Sequence, residues 1–123
     1  MKFKVYEYAK CSTCQNAVKF LEQKKVQFER LPIKDQPPTV TELKKMLGFL
    51  QAAGGSIKNL FNTSGIQYRE LKMADKLKAG MSDKDALSLL SQNGMLVKRP
   101  FLLGDEIGLV GFKAEAWKQA FKK

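Results

Sequence analysis

Apolar residues recur along this chain with two different periods, and the switches between them mark out the elements. Near the N-terminus the period is two. Phe3, Val5 and Glu7 fall on one side of an extended segment and Lys4, Tyr6 and Tyr8 on the other, which predicts a strand over 2–7. From Cys14 the period becomes helical, with Ala17, Val18, Phe20 and Leu21 on one face. Lys24-Lys25 places positive charge where a helix end favours it, so a helix is expected over 14–25. Val26, Phe28 and Leu31 then stand among Gln27, Glu29 and Arg30, a second strand over 26–31. Strand, helix and strand in such quick succession predict a right-handed crossover joining two parallel strands.

Pro32 and Pro37-Pro38 break this pattern. Thr39 and Glu42 have the spacing of a capping box, opening a helix to about Leu50 with Leu43, Met46, Leu47 and Leu50 as its buried stripe. Ala52-Ala53-Gly54-Gly55 reads as a turn. Ser56 can cap a short helix carrying Ile57, Leu60 and Phe61, and Asn62-Thr63-Ser64-Gly65 interrupts it. Tyr68–Leu77 reads as one weak helix. Ser82 and Asp85 open another with Ala86, Leu87, Leu89 and Leu90 inside, ended by Asn93-Gly94. Residues 39–93 thus form a helical block without a strand signal. The sheet is expected to resume at the apolar run Phe101-Leu102-Leu103. Gly104-Asp105-Glu106 turns the chain, Ile107–Val110 pairs back as a hairpin, and after Gly111 a last helix over 113–122 buries Ala114, Trp117, Ala120 and Phe121. The order β-α-β, helical insert, β-β-α describes an α/β protein with a thioredoxin-like mixed four-stranded sheet. One domain is expected over 1–123, its core formed by about 1–36 and 95–123 and its insert by about 37–94.

Composition narrows the functional classes. With 123 residues and 44% apolar content the chain can bury one core. It has no apolar run of about 18 residues to cross a membrane, and Met1-Lys2-Phe3-Lys4 leads straight into a strand pattern, so the protein reads as cytoplasmic. The formal charge of +10 is spread over lysines along the whole chain, with no arginine-rich block. That pattern fits a solvated surface on a monomer, and direct nucleic-acid binding is not expected. Histidine is absent, which excludes Cys–His and Ser–His catalytic pairs; two cysteines alone are too few for a zinc site, so no metal is expected.

Those two cysteines are Cys11 and Cys14, separated by Ser12 and Thr13 at the handover from strand to helix. Residues three apart on a helical turn lie roughly 5–6 Å from each other, within reach of a disulfide. In a reducing compartment such a pair points to catalysis rather than to a structural staple. At a helix entrance, unpaired amides and the helix dipole favour a thiolate. Cys11 is therefore expected to be the attacking thiolate and Cys14, inside the helix, the resolving thiol. Ser12 and Thr13 can add donors around the sulfur. In a thioredoxin-like core the loop before the third strand faces the dithiol, and its proline is commonly cis. Lys98-Arg99-Pro100 holds that place, so Arg99 is expected to reach an anion at Cys11, with Pro100 beside it. Arg69, in Tyr68-Arg69-Glu70, reads as a member of a helix-surface ion pair.

The segments Tyr8-Ala9-Lys10-Cys11-Ser12-Thr13-Cys14, Gln36-Pro37-Pro38-Thr39, Leu60-Phe61-Asn62-Thr63-Ser64-Gly65, Lys98-Arg99-Pro100 and Val110-Gly111-Phe112 resemble the arsenate reductase/Spx family across nearly the whole chain. Cys14 makes the chain similar to its CxxC-containing Spx/MgsR-like branch. The resemblance implies the same thioredoxin-like core with a helical insert. The family's reductases take up arsenate on a cysteine matching Cys11, with glutathione and glutaredoxin as reductants. Three arginines surround that oxyanion; Arg99 stands at one of their positions, while Asn62 and Gly111 match the other two. The Spx branch binds the C-terminal domain of the RNA polymerase α subunit and uses its CxxC pair as a redox switch. A glycine of that contact matches Gly55, and an arginine beside it matches Arg99. What is implied is a thiol–disulfide redox protein without a bound cofactor. Glutathione, glutaredoxin or thioredoxin would be its external reductant, and a small thiol, a redox protein or RNA polymerase α its partner.

Overall fold

The computed structural model describes residues 3–122. Strand β1, Phe3–Glu7, lies parallel to β2, Phe28–Pro32, with Phe3 opposite Phe28 and Glu7 opposite Pro32, and helix α1, Ser12–Gln23, crosses between them. Strand β3, Phe101–Leu103, runs antiparallel to β1 on its other side, and β4, Gly108–Val110, pairs antiparallel with β3. The sheet order is β2-β1-β3-β4, the mixed four-stranded arrangement expected. Between β2 and β3 come α2 (Val40–Ala52), α3 (Ile66–Glu70), α4 (Met73–Lys78) and α5 (Asp83–Gln92); α6 (Ala114–Ala120) closes the described chain.

Alternation along the strands sends successive side chains to opposite sheet faces, and both faces are covered. Phe3 and Val5 of β1 and Leu102 of β3 pack with Ala17 and Leu21 of α1 and Trp117 of α6. Tyr6, Phe101 and Leu103 face the other way, into Leu43, Met46 and Leu47 of α2, Ala86, Leu87 and Leu90 of α5, and Phe61 and Tyr68 between them. Each large apolar side chain removed from water in this way contributes roughly 1.5–3 kcal/mol. Helix α2 is fixed at its start by the expected capping box. The Thr39 hydroxyl accepts from the Glu42 amide at 3.1 Å, and the Glu42 carboxylate accepts from the Thr39 amide at 3.0 Å. The same carboxylate accepts from the Tyr6 hydroxyl at 2.7 Å and Lys4 Nζ at 3.1 Å, which ties α2 to β1.

Several boundaries differ from expectation. The Lys2 end of the first expected strand lies outside the described residues. Helix α1 begins at Ser12 rather than Cys14, because Ser12 and Thr13 are helical without joining its apolar face. Strand β2 starts at Phe28 rather than Val26: Lys25 takes a left-handed φ of 58°, and the Val26 amide still bonds back to Leu21 O at 3.0 Å. The helix expected over 68–77 is two, α3 and α4, broken where Lys72 has φ 53°. The last helix spans Ala114–Ala120 rather than 113–122, and β4 begins at Gly108 rather than Ile107. The block expected to carry no strand holds one bridge, Phe61 with Val97. Around it, Asn62 N donates to Leu96 O and Lys98 N to Leu60 O, both at 2.7 Å. Just before, Gly94 passes so close to β2's exit that a Cβ there would lie 1.7 Å from Ile33 O.

Candidate active site

Cys11 is the N-cap of α1, with extended backbone (φ −100°, ψ 113°), and its Sγ accepts from the Cys14 amide at 3.4 Å. A sulfur thus does the work usually done by a serine or aspartate oxygen, satisfying one of the amides a helix start leaves free. Ser12 and Thr13 occupy the first two helical positions with exposed side chains, and Cys14 the third, fully buried. Cys11 is partly exposed, and both thiols are free.

The two sulfurs are driven in opposite directions. Burial acts upward on Cys11 and is its largest single influence. Hydrogen bonds from the Cys14 thiol and amide, together with the charge and hydrogen bonding of Arg99, outweigh it and hold the thiol below its ordinary value. Burial dominates at Cys14. With the hydrogen bond and charge of Cys11 adding to it, the Cys14 thiol is pushed up to about 12, against a backbone hydrogen bond from Tyr8 and the charge of Arg99.

Arg99 reaches this corner from the segment before β3. Its peptide bond to Pro100 is cis, and Pro100 is buried. The guanidinium lies 5.1 Å from the centre of the Tyr8 ring, Nη1 donates to Met95 O at 3.5 Å, and the buried Nε has no protein partner. Tyr8 therefore serves three members of the site at once: its ring underlies Arg99, its carbonyl accepts from the Cys11 amide at 3.0 Å, and its backbone bonds Cys14.

The other positions lie in different settings. Asn62 is engaged through its amide with Leu96. Gly111, at φ 68°, would place a Cβ 3.0 Å from Lys98 Cε, so both its backbone and its neighbour suit glycine there. Gly55 follows α2, where a Cβ would meet Asn59 Oδ1 at 2.8 Å and Leu50 O at 3.1 Å. Arg69 is exposed on α3 as expected, and the ion pairs among the described residues do not include it. A cleft of about 1060 Å³ lined by Lys24, Lys25, Phe121 and Lys118 sits at the C-terminal end of α1, roughly 18 Å of helix away from Cys11, and belongs to no part of the dithiol site. Among the described residues no cluster of three His, Cys, Asp or Glu side chains offers a metal site, and no helix is long and apolar enough to cross a membrane.

Sequence reasoning passed over one group of residues beside Cys11. Glu7 is buried and pairs with Arg30 of β2, which also reaches Gln15 of α1. The available signal was a carboxylate at the position of β1 where the alternation of Phe3 and Val5 calls for an apolar residue.

A CxxC pair whose first cysteine caps the first helix of a mixed sheet, with a cis-proline segment facing it, defines a thioredoxin-like α/β protein. More narrowly, the chain belongs to the ArsC family, whose pattern matches residues 6–120. It is 40% identical over 119 residues to the protein YusI of Bacillus subtilis, covering 97% of this chain and 98% of that one. A solved ArsC family related protein from Bacteroides fragilis superposes with a TM-score of 0.87 at 41% identity, covering 97% of each chain. The global transcriptional regulator Spx of Enterococcus faecalis is 25% identical over 112 residues, 90% of this chain and 80% of Spx.

Proposed function

We propose that this chain is a thiol–disulfide redox protein in which Cys11 attacks and Cys14 resolves. The observation that carries the reading is the capping of α1 by the Cys11 sulfur, with the Arg99 charge acting on the same atom. In the first step the Cys11 thiolate attacks one sulfur of a substrate disulfide. A Cys11–substrate disulfide forms, the substrate S–S bond breaks, and the second substrate sulfur leaves as a thiolate that takes a proton from solvent. Cys11 then carries no charge, so one of the influences holding the Cys14 proton is gone, while Arg99 and the Tyr8 backbone bond remain to favour the Cys14 thiolate. Cys14 loses its proton and attacks Cys11 Sγ. The Cys11–Cys14 bond forms and the remaining substrate half leaves as a thiol. Two electrons have passed from dithiol to substrate, and an external thiol such as glutathione, glutaredoxin or thioredoxin restores the pair.

A disulfide substrate suits this site better than a dianionic oxyanion. Oxyanions are held by several bidentate arginine forks, and here Asn62 and Gly111 match two of the three family arginines. The test is turnover of glutathione disulfide and arsenate side by side. Cys11→Ser is expected to abolish turnover and Cys14→Ser to accumulate a mixed disulfide visible by intact mass. Full activity in both variants would overturn the reading.

A second reading is supported by the similarity to Spx together with the CxxC pair: a redox-sensing regulator that binds the RNA polymerase α C-terminal domain through Gly55 and Arg99. Titrating that domain with reduced and oxidised protein tests it, and no complex in either state would reject it. Gly55→Arg should weaken binding. Because a side chain there meets Asn59 and the Leu50 carbonyl, its fold must be checked by circular dichroism alongside.

A further inference from the structure

Glu7, Arg30 and Gln15 touch neither sulfur, yet they form one continuous chain of hydrogen bonds that ends beside Cys11. Glu7 Oε1 accepts from Arg30 Nε at 3.1 Å and Nη2 at 2.5 Å. The same Nη2 donates to Gln15 Oε1 at 3.3 Å, and Gln15 Nε2 donates to Ala9 O at 3.3 Å. Ala9 lies in the loop Tyr8–Lys10 that carries Cys11 out of β1, and both Ala9 and Lys10 are exposed. The loop has little packing of its own there, so each tether counts. Gln15 also bonds through its amide to Cys11 O at 3.1 Å. The Gln15 side chain therefore tethers the loop at Ala9, while its backbone amide makes the first-turn helix bond to the Cys11 carbonyl.

The cost of this arrangement argues for a purpose. A carboxylate side chain only 8% exposed must keep a partner or lose its charge. An isolated ion pair between β1 and β2 would satisfy Glu7. It would not require the planar fork of arginine, which gives Glu7 both Nε and Nη2 and still has an Nη2 proton for Gln15. Here the second N–H of the Nη2 that already bonds Glu7 goes to Gln15.

We propose that Glu7, Arg30 and Gln15 are a positioning brace for the nucleophile loop, with Gln15 transmitting the fixed geometry of the β1–β2 ion pair to the backbone that sets Cys11 over the first turn of α1. This rests on the reading of Cys11 as the attacking thiol. Loosening the brace lets the loop lift, and the Cys14 amide then meets Sγ less often.

Gln15→Met is the informative variant. It keeps side-chain length and helix propensity and leaves the Glu7–Arg30 pair in place, but it removes both hydrogen bonds of the link. Cys14 and Arg99, the groups acting on Cys11, are unchanged. The reduced full-length protein is alkylated with iodoacetamide across a pH series, and modification of Cys11 is followed by peptide mass. The expected result is an unchanged melting temperature, with the Cys11 titration midpoint raised by about half a unit and hence about threefold slower alkylation at neutral pH. A role confined to stability would move the melting temperature and not the midpoint. An unchanged midpoint and rate in Gln15→Met, with wild-type Cys11 titrating below an ordinary thiol, overturns the brace alone. A wild-type Cys11 that titrates as an ordinary thiol overturns the redox reading, and the brace with it.

Discussion

The buried thiol of Cys14 makes a demand on stability that can be measured apart from any substrate. Cys14 is fully buried and holds its proton up to about 12 in the folded chain, whereas in an unfolded chain a thiol ionises near ~8.5. Between those values the unfolded state binds fewer protons than the folded one, so stability falls as pH rises. One proton sets the limit at about 1.4 kcal/mol per pH unit. Replacing Cys11 by Ser leaves Cys14 as the one thiol in the chain. Burial, the largest upward influence, stays, and the Cys11 charge is lost, so the folded value settles lower than in the wild type. Integrated from neutral pH, the limit for an unshifted unfolded thiol is about 1.4 kcal/mol by pH ~9.5; allowing for the lost Cys11 charge, about 1 kcal/mol is expected. For a chain of this size that is a drop in melting temperature of about 3–4 °C. The comparison is Cys11→Ser against Cys11→Ser/Cys14→Ala, melted by circular dichroism with a phosphine reductant from about pH 7 to about pH 9.5. The small cavity left by alanine shifts the second protein by an amount independent of pH, and the lysines and tyrosines are common to both. The two melting curves must diverge in alkali, with the single variant losing more. If they stay parallel, Cys14 titrates as it does in the unfolded chain, and the idea of a resolving thiol held in reserve by burial is wrong.

Two further outcomes follow from the same geometry. Arg99→Met removes the one cation that acts on Cys11; at a partly exposed site an opposite charge is worth about one pKa unit, so alkylation of Cys11 at neutral pH should slow by about 3–10-fold, and an unchanged rate would show that the guanidinium does not act on the sulfur. Gly94→Ala and Gly48→Ala should move stability in opposite directions in urea titrations. The first drives a methyl into the Ile33 carbonyl and should cost about 3 kcal/mol. The second fills open space inside α2 and should gain about 0.5–1 kcal/mol. Equal effects would contradict the close approach of Gly94 to β2.

What was legible in the sequence was what depends on near neighbours. Alternation at Phe3–Glu7 and the short apolar run Phe101–Leu103 mark the strands, and Thr39 with Glu42 marks the start of α2, because each signal sits within a few residues. The start of α1 lies two residues ahead of where apolar periodicity puts it, for a related reason. Periodicity counts only apolar positions, and Ser12 and Thr13 are not apolar, so the pattern marks where the apolar face begins rather than where the cap lies. The division between α3 and α4 turns on a left-handed Lys72, a residue type that gives no warning of positive φ. Cys11, Cys14 and Arg99 could be singled out from residue type and order. The Glu7–Arg30–Gln15 chain could not, since it joins a strand end, a neighbouring strand and a helix turn that meet only once the crossover has formed.

The strap between Leu60–Asn62 and Leu96–Lys98 has a consequence for how this protein can be taken apart. The backbone leading into Arg99 and Pro100 is hydrogen-bonded not to the sheet but to the helical segment that precedes it. Trimming that segment away to leave a minimal scaffold around the two cysteines would strip the arginine's approach of its support. The helices between β2 and β3 are in this sense not a removable module, and their exchange for those of a relative would be expected to retune the dithiol without altering a single residue that touches it.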